Sequence, residues 1–532
     1  MHARGLPLSY KKDPLYSRGN GGLILRLMAH SHSQMTSMPN SHHTLIDLLD
    51  RNARSHPDSP ALIFEGHSYA HAAVHQAVQI QAAALHAAGV RRGDRVLVLS
   101  GNRPEVLVLL GAVAWLGAML VPLNLRLSPA EMAQQARDAR PALVIVDAGC
   151  SSLWAAAWPD GMAGVPLETL TEPVGGSFAC AGHRQEAHVP LQDAPDLGVI
   201  MLYTAAVEGH ARGAVLSQAQ LRASAIQTGG AWALGVHDRW LGVLPLFHAA
   251  GIGLALALLE AGGACVILPR FDPAAAVAAV AHHRITVCAT FAPMLGALLD
   301  AAEQHPGGEA SLASLRACMG LEPPEVLGRL ATLCPAAKFW SAYGQAEVSS
   351  MVCLGLQSER PGAAGRPIAP TEVQVQDAAG RALPAGREGE IAVRGPTVFL
   401  GYWEPEAQRP FKPADPWHRT GDLGRIDEDG WLWFTGRAAH KQLIKTGGEN
   451  VYPAEVEQVL LEHPAVAEAF VFGKPDVKWG EAVHAVCALK TGSSVTAAEV
   501  LAYLDTRIAR YKKPQSLAFL SSPLERGTKV PS

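Results

Sequence analysis

Lys445-Thr446-Gly447-Gly448-Glu449-Asn450-Val451-Tyr452-Pro453-Ala454-Glu455-Val456-Glu457 is a basic, glycine-containing loop that opens onto a helix. Pro453 stands where that helix begins: the fixed φ of proline suits the first turn, and the N–H it lacks would have no helical partner there. Beyond it the pattern predicts a helix over Pro453–Glu462 and strands over Ala467–Phe472 and Val483–Leu489. A second helix is expected over Thr496–Ala509, with Thr496 or Ser494 available as its cap. These elements make a small α+β unit at the end of the chain. Thr435–Gly448, rich in Gly and Lys, reads as the boundary in front of it.

Working back toward the N-terminus, the pattern changes. A chain of 532 residues is too long for one ordinary core. From residue 44 to about 340, apolar strands alternate with helices. Strands are expected at Arg95–Ser100, Ala142–Asp147, Ala264–Leu268 and Thr286–Phe291, and helices at Pro273–His282 and Pro293–Ala302. Such alternation implies α/β structure, parallel sheets covered by helices. After about residue 370, short strands such as Glu372–Gln376 and Glu390–Arg394 are interrupted by Gly and Pro, which predicts antiparallel structure and a small β-barrel. The expected organisation is therefore an arm over residues 1–43, a large domain over 44–440 and a small mobile domain over 441–532.

Hydrophobic residues make up 48% and charged residues 17%, which fits a globular chain rather than a disordered one. The formal net charge of -4 and the lack of a basic run argue against nucleic acid as a partner. Val106–Leu123 carries no charge over 18 residues, but it contains Gly111, Gly117 and Pro122 and reads as a helix buried between layers rather than a membrane span. The eight cysteines (150, 180, 265, 288, 318, 334, 353 and 487) form no CxxC pair, so neither a zinc site nor a redox motif is indicated, and a reducing cytoplasm fits. The first 43 residues lack periodicity and read as disordered or as an over-extended start, with His30, His32, His42 and His43 solvated rather than metal-bound. Nothing in the chain excludes a homodimer.

Four further stretches carry chemistry. Tyr203–Ser217 (YTAAVEGHARGAVLS) follows an apolar strand, and Gly209 and Gly213 in it suit either turns or a phosphate cradle. In Tyr343-Gly344-Gln345-Ala346-Glu347 the carboxylate suits a metal or merely faces water. Gly421-Asp422-Leu423-Gly424 precedes a DEDG hairpin turn, and Asp422 suits a turn cap or a sugar diol, since a carboxylate accepts two hydroxyl bonds. Pro245–Ala249 (PLFHA) places His248 in an apolar run, where it is either a satisfied core histidine or a pocket residue.

Taken in order and spacing, these stretches resemble the adenylate-forming superfamily, in its acyl-CoA synthetase branch. The likeness covers nearly all of residues 44–515 and includes Gly89–Asn102, Val121–Leu127, Gly365-Arg366-Pro367, Gly389–Trp403, His418–Gly424 and Trp479-Gly480-Glu481, with GGENVYPAEVE the most specific. The resemblance implies ATP, Mg²⁺ and CoA as reactants or cofactor. A carboxylic acid, fatty or aromatic, becomes an acyl-AMP, and a thiol then displaces AMP while the small domain rotates between the steps. It further implies that Tyr343, with Gly344, lies against adenine, Glu347 ligates Mg²⁺, and Asp422 binds the ribose with help from Arg437. Thr204, Gly209, Arg212 and Gly213 would meet phosphates, Lys441 would be the hinge, and Lys445 would serve the thioester-forming face. Gly447 and Gly448 would line the pantetheine tunnel, His248 would stand at the acyl pocket, and Lys529 is the candidate adenylation lysine. Acyl-pocket residues are expected around His248, Phe291–Met294 and Met319–Glu322.

The chain also departs from the pattern. The family's phosphate loop usually reads Y-T-S-G-T-T-G-x-P-K-G, whereas here Ala205, Ala206, Val207 and Glu208 replace the four residues after the Thr, Ala211 replaces the Pro and Arg212 the Lys. Each lost hydrogen bond to a charged phosphate is worth about 1.5–3 kcal/mol, and Glu208 adds negative charge. Ala346 replaces a Thr, two extra residues separate Arg437 from Lys445, and Lys529 sits at an unusual spacing. Two alternatives to a CoA ligase follow: a non-catalytic nucleotide- or acyl-CoA-binding homologue, and a ligase whose acceptor is a carrier protein.

Overall fold

The computed structural model describes residues 44–157, 167–170, 189–192, 194–204, 211–438, 441, 443–447, 449–476 and 479–520. Among these, helix starts are set by local chemistry. Thr44 with Asp47, Ser128 with Glu131, Ser217 with Gln220 and Thr496 with Glu499 each form a reciprocal capping box, satisfying two backbone donors that a helix start leaves open.

Two large sheets organise the first part of the chain. One has nine strands in the order Arg366–Pro367, Ser350–Leu356, Lys338–Gln345, Ala317–Leu321, Val287–Phe291, Arg239–Gly242, Ala264–Ile267, Pro60–Phe64 and His67–Ala70. The other has eight, in the order Arg409–Phe411, Gly401–Glu404, Arg212–Ser217, Gly198–Thr204, Met119–Pro122, Arg95–Leu99, Leu143–Asp147 and Leu167–Leu170. The inner pairings of both are parallel, as the alternation of strands and helices predicts. Period-two alternation sends Val96, Val98, Leu120 and Ile200 to a core shared with Leu62, Trp240 and Ile267 of the first sheet. Leu97, Leu99, Val121 and Val144 point to the opposite face, against Met132 and Trp154. Each fully buried aliphatic side chain contributes about 1.5–3 kcal/mol.

The uncharged run Val106–Leu123 is not one helix. Pro104–Leu116 is helical with all 13 residues buried, Gly117 ends it at φ 65°, and Met119–Pro122 is a strand. The left-handed conformation at Gly117 is what turns helix into strand. Gly111 permits close packing, since a Cβ there would stand 2.6 Å from Val78 Cγ2 on the neighbouring helix. Among the described residues no helix is long and apolar enough to cross a membrane.

Residues 372–437 form an antiparallel sheet of four strands, Glu372–Gln376, Gly389–Arg394, His418–Ile426 and Leu432–Arg437 in that order. It stays open rather than closing into the expected small barrel. Its outer edge pairs elsewhere: the Leu432 N–H donates to Gly365 O, and the Ala364 N–H to Leu432 O, next to the margin of the nine-stranded sheet. The last part of the chain is an α+β unit with strands Glu449–Val451, Ile444–Thr446, Gly480–Leu489 and Val466–Asp476, to which Ser516–Leu520 adds in parallel beside Gly480–Leu489. The expected helix over 496–509 ends at Leu504, where the Asp505 N–H takes the tighter i→i−3 bond to the Ala502 carbonyl and the chain passes into a turn.

Glu322, after the Ala317–Leu321 strand, holds a position with a pH consequence. Its Oε1 accepts from Thr290 Oγ1 at 3.2 Å and its carboxyl also accepts from the Leu295 backbone, while Oε2 is buried without a partner. Burial outweighs both bonds and pushes this carboxyl up to about 7. Between its ordinary value near 4.5 and about 7 the folded state carries the extra proton, so stability falls as pH rises through that window. Glu322→Gln keeps an acceptor for Thr290 and Leu295 but has no proton to lose. Thermal melts at about pH 5 and about pH 8 are expected to show a smaller drop for the variant than for the parent; equal drops would show that Glu322 does not titrate in this window.

Candidate active site

The C-terminal ends of the central strands, the open sheet and the small α+β unit enclose a cavity of about 660 Å³. Ligand sites in α/β folds favour this end of the strands. Among the described residues four buried carboxylates line it, Glu347, Asp422, Glu449 and Glu455, and the first two share the charge of Lys441. Glu347 lies in the short turn after the Lys338–Gln345 strand and is 5% exposed. Its Oε1 accepts from Tyr402 OH at 2.8 Å and from Thr204 Oγ1 at 3.1 Å. Burial opposes its charge, but the Lys441 ammonium and the Tyr402 bond outweigh burial and hold the carboxyl below its usual range. The Arg212 guanidinium stacks on the Tyr402 ring at 3.9 Å, so the basic residue of the altered loop reaches this carboxylate's neighbourhood through an aromatic face.

Asp422, 8% exposed on the His418–Ile426 strand, accepts from Tyr343 OH at 2.8 Å and Gln345 Nε2 at 3.1 Å. Arg437 is its cross-strand partner, with Nε 3.7 Å from Oδ1, and Lys441 Nζ lies at the same distance. Lys441 also donates to the Thr420 carbonyl. Its stem crosses Gly421, where φ is 71° and a Cβ would meet Lys441 Cδ at 2.5 Å; glycine is required there for both reasons. The His418 ring, driven down to about 4 by burial, is neutral near pH 7 and bonds Gln345 Oε1 at 3.1 Å.

The structure thus brings together Thr204, Arg212, Glu347, Asp422, Arg437 and Lys441. Tyr343 reaches the site through its hydroxyl, whereas Gly344 and Gln345 line the cavity. Gly344 is needed for packing, because a Cβ there would stand 1.7 Å from Ser350 O across the hairpin. Gly213 also has a packing role, with Met201 Sδ 2.5 Å from where a Cβ would be. Gly209, Gly448 and Lys529, and the altered residues 205–208, lie outside the described residues.

The same cavity also has apolar lining, including Phe247, Phe271, Phe291 and Met294. His248 is the residue before the Ala249–Glu260 helix, with its side chain 39% exposed, so it belongs to the pocket and not to the core. Met319–Glu322, the end of the Ala317–Leu321 strand and the residue after it, does not line the cavity, and Glu322 bonds Thr290 instead. The small unit closes the mouth with the face that bears Lys445, Gly447 and Glu449. Glu449, 6% exposed, accepts from Arg126 Nη1 at 2.8 Å and approaches His248 Nε2 at 3.4 Å. Burial opposes its charge, but His248 and Arg126 outweigh burial and keep its carboxyl low. Gly447 packs under the Trp479 ring, which a Cβ would meet at 2.9 Å. Tyr402, Gln345, His418, Arg126 and Glu449 stood inside quoted stretches without a role of their own, and nothing in spacing reveals which hydroxyl, amide or cation meets which carboxylate.

Among the described residues no group of three or more His, Cys, Asp or Glu side chains is placed to hold a metal ion. A protein-only metal cage is therefore not what these residues offer. One carboxylate, Glu347, with the Thr204 hydroxyl beside it, suits a Mg²⁺ ion that takes most of its ligands from phosphates and water.

Comparison with known proteins agrees with this geometry. The AMP-binding enzyme family model matches residues 49–403, and the model of the AMP-binding enzyme C-terminal domain matches residues 455–529. Indoleacetate–CoA ligase of Aromatoleum aromaticum is 32% identical over 90% of this chain and 94% of its own length. Feruloyl-CoA synthase of an Amycolatopsis species is 34% identical over 88% of this chain and 93% of its own. The o-succinylbenzoate CoA synthetase of Bacillus subtilis, solved as a double mutant with a CoA product analogue, is 28% identical and aligns with a TM-score of 0.78 over 90% of this chain and 96% of that one. The same synthetase in complex with ATP and magnesium, 29% identical, aligns at 0.63 over 89% and 95%. With both family models matched in order along one chain, and the carboxylates of their motifs gathered around one cavity, this protein belongs to the AMP-binding enzyme family, in its acyl-CoA synthetase branch.

Proposed function

We propose that this protein is a carboxylic acid–CoA ligase working through an acyl-adenylate, with an aromatic or fatty acid as substrate. The observation that carries this is that Glu347, Asp422 and Lys441 line one cavity together with Phe247, Phe271 and Phe291. A carboxylate resists nucleophiles because its charge opposes addition. In the first step its oxygen bonds to the α-phosphorus of ATP and pyrophosphate leaves. In the second the CoA sulfur bonds to the acyl carbon, the C–O bond to AMP breaks, and the thiol proton is lost. When bound, Mg²⁺ offsets phosphate charge and orients pyrophosphate for departure. Glu347 is its protein ligand in this reading.

The remaining roles belong to the same reading. Asp422 binds the ribose hydroxyls, after exchanging its bonds from Tyr343 and Gln345, and Arg437 steadies it. Tyr343 and Gly344 flank the adenine. Thr204, Gly209, Arg212 and Gly213 face the phosphates, and Lys529 completes the adenylation site. Residues 441–532 act as the mobile domain, with Lys441 as hinge and Lys445, Gly447 and Gly448 on the thiol-accepting face. The placement of Glu449 against Arg126 and His248 supports an arrangement poised for CoA, as does the better overlap with the CoA-analogue complex than with the ATP complex of one synthetase. The relatives that act on indoleacetate and ferulate support an aromatic acid, for which three phenylalanines make a suitable wall. The altered loop favours one second reading, a binder that no longer turns over.

Pyrophosphate release measured with a panel of arylacetic, cinnamic, benzoic and fatty acids tests the proposal. Acid-dependent release followed by CoA-dependent thioester is expected; AMP or acyl-CoA binding with no release for any acid would select the binder. Glu347→Gln is expected to lower Mg²⁺-dependent release by at least about 100-fold, as loss of a charge-stabilising contact does, and a parental rate would remove Glu347 from the metal. Restoring Ser-Gly-Thr-Thr at 205–208 is expected to tighten ATP binding about 10-fold or more in calorimetry, one hydrogen bond to a charged group being worth that much. Unchanged affinity would mean that the loop does not touch phosphate.

A further inference from the structure

A short stretch of the large domain, residues 126–131, meets the small domain at three places far apart in sequence. Arg126 Nη1 reaches Glu449 Oε1 at 2.8 Å, Ser128 Oγ donates to the Arg507 carbonyl at 3.0 Å, and Glu131 Oε1 accepts from Lys512 Nζ at 2.6 Å. The third contact differs in kind from the other two. Lys512 is 6% exposed, and its ammonium is shared between Glu131 and Glu455 Oε2, the latter at 2.7 Å on the small domain's own Pro453–Leu461 helix. Lys512 and Glu455 also border the cavity that holds Glu347 and Asp422.

We propose that Lys512 is a positioning residue for the thioester-forming step, its ammonium bridging Glu131 of the large domain and Glu455 of the small one so that the Lys445–Tyr452 loop is held over the cavity. The inference rests on the ligase reading given above. Its physical basis is how the three charges divide between the moving bodies. Glu455 travels with Lys512, so rotation of the small domain never leaves the ammonium without a carboxylate. Only the Glu131 contact is made and broken. A fully unpaired buried lysine would lock the domains, because stripping a buried charge of all partners is very costly. A lysine that keeps one partner makes a latch that holds yet opens.

Glu131 does two jobs, and they can be separated. Its Oε2 accepts from the Ser128 N–H at 2.8 Å, closing the capping box of the Pro129–Ala139 helix, while its Oε1 holds Lys512. Gln serves as well as Glu at that box position. Glu131→Gln therefore keeps the helix start and removes the charge that faces Lys512.

The test uses the full chain. Spin labels at Asp58→Cys and Glu462→Cys, exposed positions on the large and small domains, report their separation in the free protein. One dominant distance is expected in the parent and a second, substantial population in Glu131→Gln. Where an acid substrate is in hand, the half-reactions are timed separately. Glu131→Gln is expected to slow thioester formation from acyl-AMP about 10-fold or more, the loss of roughly one charged contact, and to leave pyrophosphate release within about twofold. Unchanged distances, or equal slowing of both half-reactions, would overturn the latch. If no acid is turned over by the parent, the ligase reading fails and the distance measurement still decides the latch by itself.

Discussion

Two carboxylates buried at one cavity have to be matched by positive charge, and here Lys441 serves both. Its ammonium lies 3.7 Å from Asp422 and is the main attraction that keeps Glu347 ionised against burial. A carboxylate in a poorly solvated site takes up a proton unless a cation or several donors oppose it. Lys441 is held by the Thr420 carbonyl and by the bare backbone of Gly421 beneath its stem. Lys441 thus supplies positive charge to both carboxylates from a single position.

That placement ties the charge balance of the cavity to the backbone around residue 441, because a shift of Lys441 would change the compensation of Glu347 and Asp422 together. The observed orientation of the small unit brings Glu449 to His248 and Arg126, at the mouth of the apolar pocket. It also sets Lys512 between Glu131 and Glu455. These are charged contacts between groups that would be hydrated if the contacts opened, so their net contribution is smaller than their Coulomb attraction.

The altered phosphate loop has a counterpart in the geometry beside it. The Arg212 guanidinium stacks on Tyr402, whose hydroxyl bonds Glu347, and Thr204 bonds the same oxygen. Of the two ends of that loop, the Thr204 hydroxyl meets Glu347 directly and the Arg212 charge stands behind Tyr402, which also bonds Glu347. In Tyr343, Gly344 and Gln345, three neighbours divide the labour: a hydroxyl for Asp422, a backbone that must pass Ser350, and an amide linking Asp422 to His418.

Much of this architecture was legible in the amino-acid sequence, because strands such as Arg95–Leu99 and Val287–Phe291 and helices such as Pro273–His283 are fixed by local apolar pattern, proline placement and capping residues. The motif carboxylates and the CoA-ligase loop were legible too, since their residue types stand in a recognisable order. The tertiary structure alone decided that Pro104–Leu116 stops at a left-handed Gly117, that the antiparallel sheet stays open against Gly365, and that Glu322 turns away from the pocket. It alone decided that Lys512 meets Glu131 and that Arg126 meets Glu449. The physical reason is range: periodicity and caps act within a few residues, whereas partners hundreds of residues apart are chosen by how layers pack and domains orient.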